Sequence, residues 1–239
     1  MKNAVVFAGR NGLDFIELRA GVLRIPEVTL RIREAQRILD TTDLPKIDLF
    51  NVVSSEDDHF FRNIKLKSLL AAIVQVGLFD RYVKNQRRPD FMVGNSNGDA
   101  AMMVAAGLMT FEQMVRQSQA LDTMKPSERV VSLAVEPAPL LAGLSLTEFR
   151  ALQAVQTDTG LTYQVVNESA MELKKSVGPL HADQAVGRFI NLGPAAALRR
   201  SEYETISADD IESIDSIELD PMLGWFWSSI RSQSIAIAQ

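Results

Sequence analysis

Ser96 is the residue of this chain best placed to do chemistry. It stands in Gly94-Asn95-Ser96-Asn97-Gly98, between the apolar run Phe91-Met92-Val93 and a small-residue helical pattern from Ala100 to Leu108. That order is the sequence form of a nucleophile elbow, a strand–turn–helix that lifts one serine to the tip of a sharp turn. Glycine suits both flanking positions. Strand and helix come so close there that a Cβ would clash, and glycine tolerates strained dihedrals. At a helix start, free backbone N–H groups and the positive end of the dipole stabilise an oxyanion. A serine becomes a nucleophile only with a base, and the chain holds 2 histidines. His59 ends the polar stretch Ser54-Ser55-Glu56-Asp57-Asp58 and reads as a solvated loop imidazole. His181 lies in the Gly-Pro turn Ser176-Val177-Gly178-Pro179-Leu180-His181. Two readings of it stand open: a base for Ser96, or a partly buried histidine bonded to backbone.

The elements that must position Ser96 follow from the apolar pattern. Val5-Val6-Phe7, followed by Ala8-Gly9-Arg10-Asn11-Gly12, predicts a buried strand and a Gly-rich turn. Leu30 to Leu39 has helical spacing, Leu66 to Tyr82 predicts a long apolar helix, and Asp90 to Val93 a second core strand. Thr110 and Gln113 have the spacing of a capping box, opening a helix toward Met124 that Pro126 stops. From Arg129 the composition changes. Val130 to Val135 reads as strand, Leu146 to Val155 as helix and Tyr163 to Val166 as strand, a βαβ block between Lys125 and about Lys175. Phe189 to Leu192 is another core strand, ended by Gly193-Pro194. The expected architecture is α/β: a mainly parallel sheet with a nucleophile elbow in a core made of 1–124 and 176–239, plus a small inserted α+β subdomain at 125–175. Active sites of such sheets lie at the carboxyl ends of the strands, where the elbow places Ser96.

Composition limits the function. The 239 residues, 46% hydrophobic and 23% charged, suffice for a sizeable core. A formal net charge of −5 argues against nucleic acid as partner. With 0 cysteines there are no disulfides, thiolate metal sites or cysteine catalysis. No signal peptide is visible, and the apolar stretch from Leu69 to Phe79, broken by Gln75, is too short to span a bilayer. A cytoplasmic protein without metal or cofactor is expected.

Several segments together resemble the acyltransferases that load malonyl and related groups onto acyl carrier protein. Gly94-Asn95-Ser96-Asn97-Gly98-Asp99, Val104-Ala105-Ala106-Gly107 and Thr110-Phe111-Glu112 stand where that family has G-H-S-x-G-E, V-A-A-G and [ST]-F-E. Phe7-Ala8-Gly9-Arg10-Asn11-Gly12 is similar to its F-P-G-Q-G, Ser176-Val177-Gly178-Pro179-Leu180-His181 to its V-S-x-P-x-H, and Phe189-Ile190-Asn191-Leu192-Gly193-Pro194 to its F-x-E-x-G-P. The resemblance runs in order to about Ala197. It implies Ser96 as nucleophile, His181 as general base, the Asn97 N–H as one oxyanion donor and acyl thioesters of coenzyme A or acyl carrier protein as substrates.

The departures carry information as well. Asn95 replaces the histidine before the serine. Arg10 replaces the glutamine near the oxyanion hole, where it either donates to the oxyanion or fills the pocket. Leu121 falls where malonyl-specific members have the arginine that clamps the substrate carboxylate. Burying that anion unpaired is costly, so a neutral acyl group is expected. A long segment of the family pattern is missing between His181 and Phe189, and with it the carbonyl that orients the histidine; Asp183 is a substitute orienter or a helix N-cap. The 201–220 stretch, with eight acidic and no basic residues, reads as a solvated linker. Trp225, Phe226 and Trp227 beyond it either complete the core or anchor a synthase partner. Arg81, Lys84, Arg87 and Arg88 are placed to meet an acidic carrier protein, or form a solvated basic loop. Two rival readings remain: a non-catalytic acyltransferase-fold protein that binds a carrier or synthase, and an esterase of the α/β-hydrolase type with Asp158 or Glu168 as its acid.

Overall fold

The computed structural model describes residues 2–7, 22–42, 47–55, 63–95, 99–120, 149–170, 180–192 and 211–214. They form six strands and five helices: β1 (Lys2–Phe7), α1 (Pro26–Asp40), α2 (Leu49–Ser54), α3 (Ile64–Asn85), β2 (Phe91–Asn95), α4 (Asp99–Ala105), α5 (Phe111–Ala120), β3 (Phe149–Thr157), β4 (Gly160–Ala170), β5 (Val186–Leu192) and β6 (Ile211–Ile214). The strands make one sheet in the order β4-β3-β2-β1-β5-β6.

β1 occupies the interior. It pairs in parallel with β2, from Ala4↔Phe91 to Phe7↔Gly94, and with β5, ending at Phe7↔Leu192. Its residues 4 to 7 are fully buried on both faces, which is why the strand reads as a continuous apolar run rather than an alternation. Val5 and Phe7, with Met92, Leu152 and Ile190, face the helices, while Ala4, Val6, Phe91, Val93, Ala151 and Phe189 form a second cluster on the other face.

α3 is the central helix, apolar almost all round and buried from Ser68 to Phe79. Asn63 caps it, its Oδ1 accepting from the N–H groups of Lys65 and Leu66. α3 runs opposite to β1. Near its end, Tyr82 Oη accepts from Asn3 Nδ2 at 2.9 Å at the amino end of β1, whereas Gln75 Nε2 donates to the Leu192 carbonyl at 3.4 Å at the carboxyl end of β5. The twelve residues from Gln75 back to Asn63 carry the helix start about 18 Å further in that direction. α1 crosses α3 so closely that a Cβ on Gly77 would lie 2.5 Å from Val28 Cα. The capping box of α5 is formed: Gln113 N donates to Thr110 Oγ1 at 3.1 Å and Thr110 N to Gln113 Oε1 at 2.9 Å.

The sheet departs from the expected one in three respects. It is mixed rather than mainly parallel, because β3 joins β2, and β4 joins β3, in antiparallel register. Phe149 to Val155, expected within a helix, is strand. Leu146, Phe149, Leu152 and Val155 have helical spacing, yet Ala151 and Leu152 are both buried, one on each face. A strand covered on both sides has no alternation to reveal it. Residues 149–170 of the expected subdomain therefore continue the core sheet. Tyr163 ties this hairpin down by donating to the Pro89 carbonyl at 2.6 Å. Finally, the acidic stretch is no linker throughout, since Ile211–Ile214 adds to β5 as a parallel edge strand.

Candidate active site at the carboxyl end of the sheet

β2 ends at Asn95 and α4 begins at Asp99, so only residues 96–98 join strand to helix. Gly94 is buried and lies between Phe7 of β1 and Arg150 of β3 in the register. Ala100, Ala101 and Met102 bury the opening turns of α4 completely, and the two alanines let the helix lie close to the sheet. Asn95, as the last residue of β2, stands at the carboxyl end of the parallel strands, opposite Phe149. Ser96, Asn97, Arg10, Leu121 and His59 lie outside the described residues.

His181 is not brought to this end. It sits in the helical turn 180–182 before β5, half-buried, with its ring 6.2 Å from that of Phe189. Nδ1 lies 3.0 Å from the Val186 carbonyl oxygen. The orienting group is thus a backbone carbonyl; Asp183 is exposed in the next turn. Ala185 closes the loop in the left-handed region at φ 55°. Val186 stands opposite Lys2, whereas Gly94 stands opposite Phe7. Five strand residues separate those levels, about 17 Å. A general base works within about 2.6–3.2 Å of the proton donor. The missing segment before Phe189 explains the displacement: four residues between His181 and Val186 hold the histidine at the start of β5.

Other expectations fall at this amino end too. Asp158 occupies the tip of the β3–β4 hairpin, beyond the Gln153↔Phe91 pair and at the opposite end of β2 from Asn95. The basic residues expected to meet a carrier protein are engaged there. Arg81 and Lys84 pair with Glu27, Arg87 with Asp90, and Arg88 reaches the Ala105 carbonyl at the end of α4 at 3.5 Å.

At the carboxyl end lie two buried amides that no motif marks. Gln75 is fully buried beside Leu192, and Asn191 is 1% exposed on β5. Gln75 was visible as the single interruption of an apolar helix. Asn191 stands where the resemblance implies a glutamate, and an amide is buried without having to hold a charge. Among the described residues no group of three or more His, Asp or Glu side chains is placed to hold a metal ion, and no helix is long and apolar enough to cross a membrane.

Solved structures similar to this chain include the malonyl CoA-acyl carrier protein transacylase of Coxiella burnetii, with a TM-score of 0.61 and 14% identity over 92% of this chain and 95% of that one. The acyl-carrier-protein S-malonyltransferase of Burkholderia pseudomallei gives 0.60 and 13% over 94% and 100%. A malonyl-transacylase in complex with its type II polyketide synthase acyl-carrier protein gives 0.58 and 12% over 94% and 99%. Neither a protein-family model nor a curated protein sequence matches the chain. The fold is that of the malonyl-CoA:acyl carrier protein transacylases.

Proposed function

We propose that this acyltransferase-fold protein is a serine enzyme that takes acyl groups from thioesters of coenzyme A or acyl carrier protein and holds them as an ester on Ser96. The observation that carries the reading is the short connection from Asn95 to Asp99 at the carboxyl end of an interior strand, with Ser96 in its Gly-x-Ser-x-Gly. Ser96 Oγ attacks the thioester carbonyl, the C–S bond breaks, and the serine proton leaves with the thiol. The resemblance assigns stabilisation of the developing oxyanion to the Asn97 N–H and to Arg10. Leu121 favours a neutral acyl group over malonyl, whose carboxylate would lose hydration without gaining a bidentate partner. Transfer to a carrier thiol and hydrolysis by water both complete the cycle, in fatty-acid or polyketide assembly.

The base is not assigned to His181, which is bonded to Val186 at the other end of the sheet. That position favours a second reading, in which the fold binds a carrier protein or synthase without turnover. Intact-protein mass after incubation with acetyl-, malonyl- and longer acyl-coenzyme A separates the two. An acyl adduct is expected on the wild type, more from acetyl than from malonyl, and none on Ser96→Ala. His181→Ala should be acylated as fast as wild type within about threefold, whereas loss of a true general base lowers the rate about 10²–10⁴-fold. Absence of any adduct, with carrier binding retained in Ser96→Ala, establishes the second reading. A folded His181→Ala that has lost acylation restores the serine–histidine pair.

A further inference from the structure

We infer that Gln75 is a positioning residue for the acyl site, holding the carboxyl end of the sheet at the level from which the Ser96 connection departs; this rests on the acyl-serine reading above. Gln75 is fully buried in the middle of α3, and every other residue from Leu69 to Phe79 is apolar or glycine. Taking a side-chain amide out of water is costly unless it finds a partner. Packing alone would be served as well by leucine or methionine, so the use of the amide lies in what it holds. Its Nε2 donates to the Leu192 carbonyl at 3.4 Å, across 117 residues of chain. A bond of that length adds little stability, and its effect is local.

The carbonyl it reaches ends β5. Leu192 stands opposite Phe7, the last residue of β1, and Phe7 stands opposite Gly94 of β2. The three residues lie side by side on neighbouring parallel strands, with Leu192 about 10 Å from Gly94. Gly94 comes two residues before Ser96. Another polar contact fixes the same helix at the far end of the sheet. Tyr82 lies seven residues on, about two turns, so it shares a face with Gln75. Its Oη accepts from Asn3 Nδ2 at the amino end of β1. The two anchors thus hold opposite ends, and only Gln75 holds the end with the Ser96 connection. A displacement of about 1 Å in a reacting group slows a reaction about 10²-fold. Gln75 therefore acts through the strand ends on the rate of ester formation. Having no exposed surface, it leaves the affinity for the thioester unchanged.

Gln75→Met keeps the volume and removes the donor. Acylation by acetyl-coenzyme A, followed by mass at several concentrations, should fall about tenfold or more in maximal rate, with the half-saturating concentration within about twofold of wild type. Amide exchange should quicken at the carboxyl ends of β1, β2 and β5 and not at their amino ends. Tyr82→Phe removes the other anchor and controls for a structural role. It should lower the urea midpoint yet keep the maximal acylation rate within about twofold of wild type. In Gln75→Glu the buried carboxyl keeps a donor while neutral and loses it on ionisation, so its acylation rate should fall relative to wild type as the pH rises. A Gln75→Met protein acylated at the wild-type rate overturns the proposal. Equal slowing in Tyr82→Phe, a Gln75→Glu pH profile parallel to wild type, or exchange that quickens along the whole sheet overturns it as well. A wild type that takes no acyl group from any thioester overturns the Ser96 reading and this role with it, whereas an acylated wild type beside an unslowed Gln75→Met overturns this role alone.

Discussion

His181 and Glu27 are partly hidden ionisable groups on the amino side of the sheet, and in each case the partner fixes what the group does. For His181 the partner is the Val186 carbonyl, and a backbone acceptor leaves no trace in a sequence. The spacing to Phe189 held the clue, since the stretch that would carry the histidine elsewhere is short; the motif itself pointed the other way. Ser96 stands out in the sequence because an elbow needs small residues at fixed offsets, as in its Gly-x-Ser-x-Gly. Glu27 had no motif at all. Its Oε1 lies 3.1 Å from Lys84 Nζ and 3.7 Å from Arg81 Nη1. Burial raises its pKa, but its own backbone N–H, Lys84 and Arg81 outweigh this and hold it below the ordinary 4.5. A carboxyl whose folded pKa is depressed contributes stability that is present above the unfolded value and lost as pH falls through the folded one. Glu27→Gln should therefore cost about 1–3 kcal/mol at neutral pH. The difference from wild type should shrink once the pH drops below 4.5. Urea unfolding of both proteins at pH 7 and in acid checks this, and a gap that does not change with pH excludes the ion pair as its cause.

At the scale of elements, four of the five described helices and four of the six described strands were readable; α2, β3 and β6 were not. α3 and α5 were legible from a long apolar run and from a capping box whose two hydrogen bonds are present. The helical spacing of Leu146, Phe149, Leu152 and Val155 hides β3, whose Ala151 and Leu152 are buried on opposite faces, and the acids around Ile211-Glu212-Ser213-Ile214 hide β6. The sequence also gave no sign of how closely α1 crosses α3. At Gly77 an added Cβ meets the backbone of Val28, which has no rotamer to move away. Gly77→Ala improves helix propensity by about 1 kcal/mol yet forces the helices apart, at about 1–3 kcal/mol or more for overpacking. The expected outcome is net destabilisation, read as a lower urea midpoint. A midpoint at or above that of wild type shows that α1 yields without strain.

On the scale of the whole molecule, the sheet has two unlike ends. Asn95 at the end of β2 marks the carboxyl end; His181, Asp158 and the engaged basic residues mark the other. The α/β class was legible because strands and helices alternate along the chain, whereas the mixed sheet depends on which edges remain open, a property of the assembled molecule. If acylation takes place at the carboxyl end, the double variant Lys84→Ala with Arg87→Ala should accept acyl groups from a carrier protein within about twofold of wild type, since surface ion pairs contribute little. A rate fall of tenfold or more, with coenzyme A thioesters unaffected, places carrier docking at the amino end. The central position of β1 also governs how the chain reaches this shape. Asn3 bonds to Asp90 across 87 residues, and the other neighbour, β5, lies more than twice as far along the chain. The first strand in sequence is thus among the last to be satisfied, and its buried run Ala4 to Phe7 stays exposed while distant segments find it. Such non-local pairing makes for slow folding, about milliseconds to seconds, with the sticky N-terminal strand unprotected during the wait.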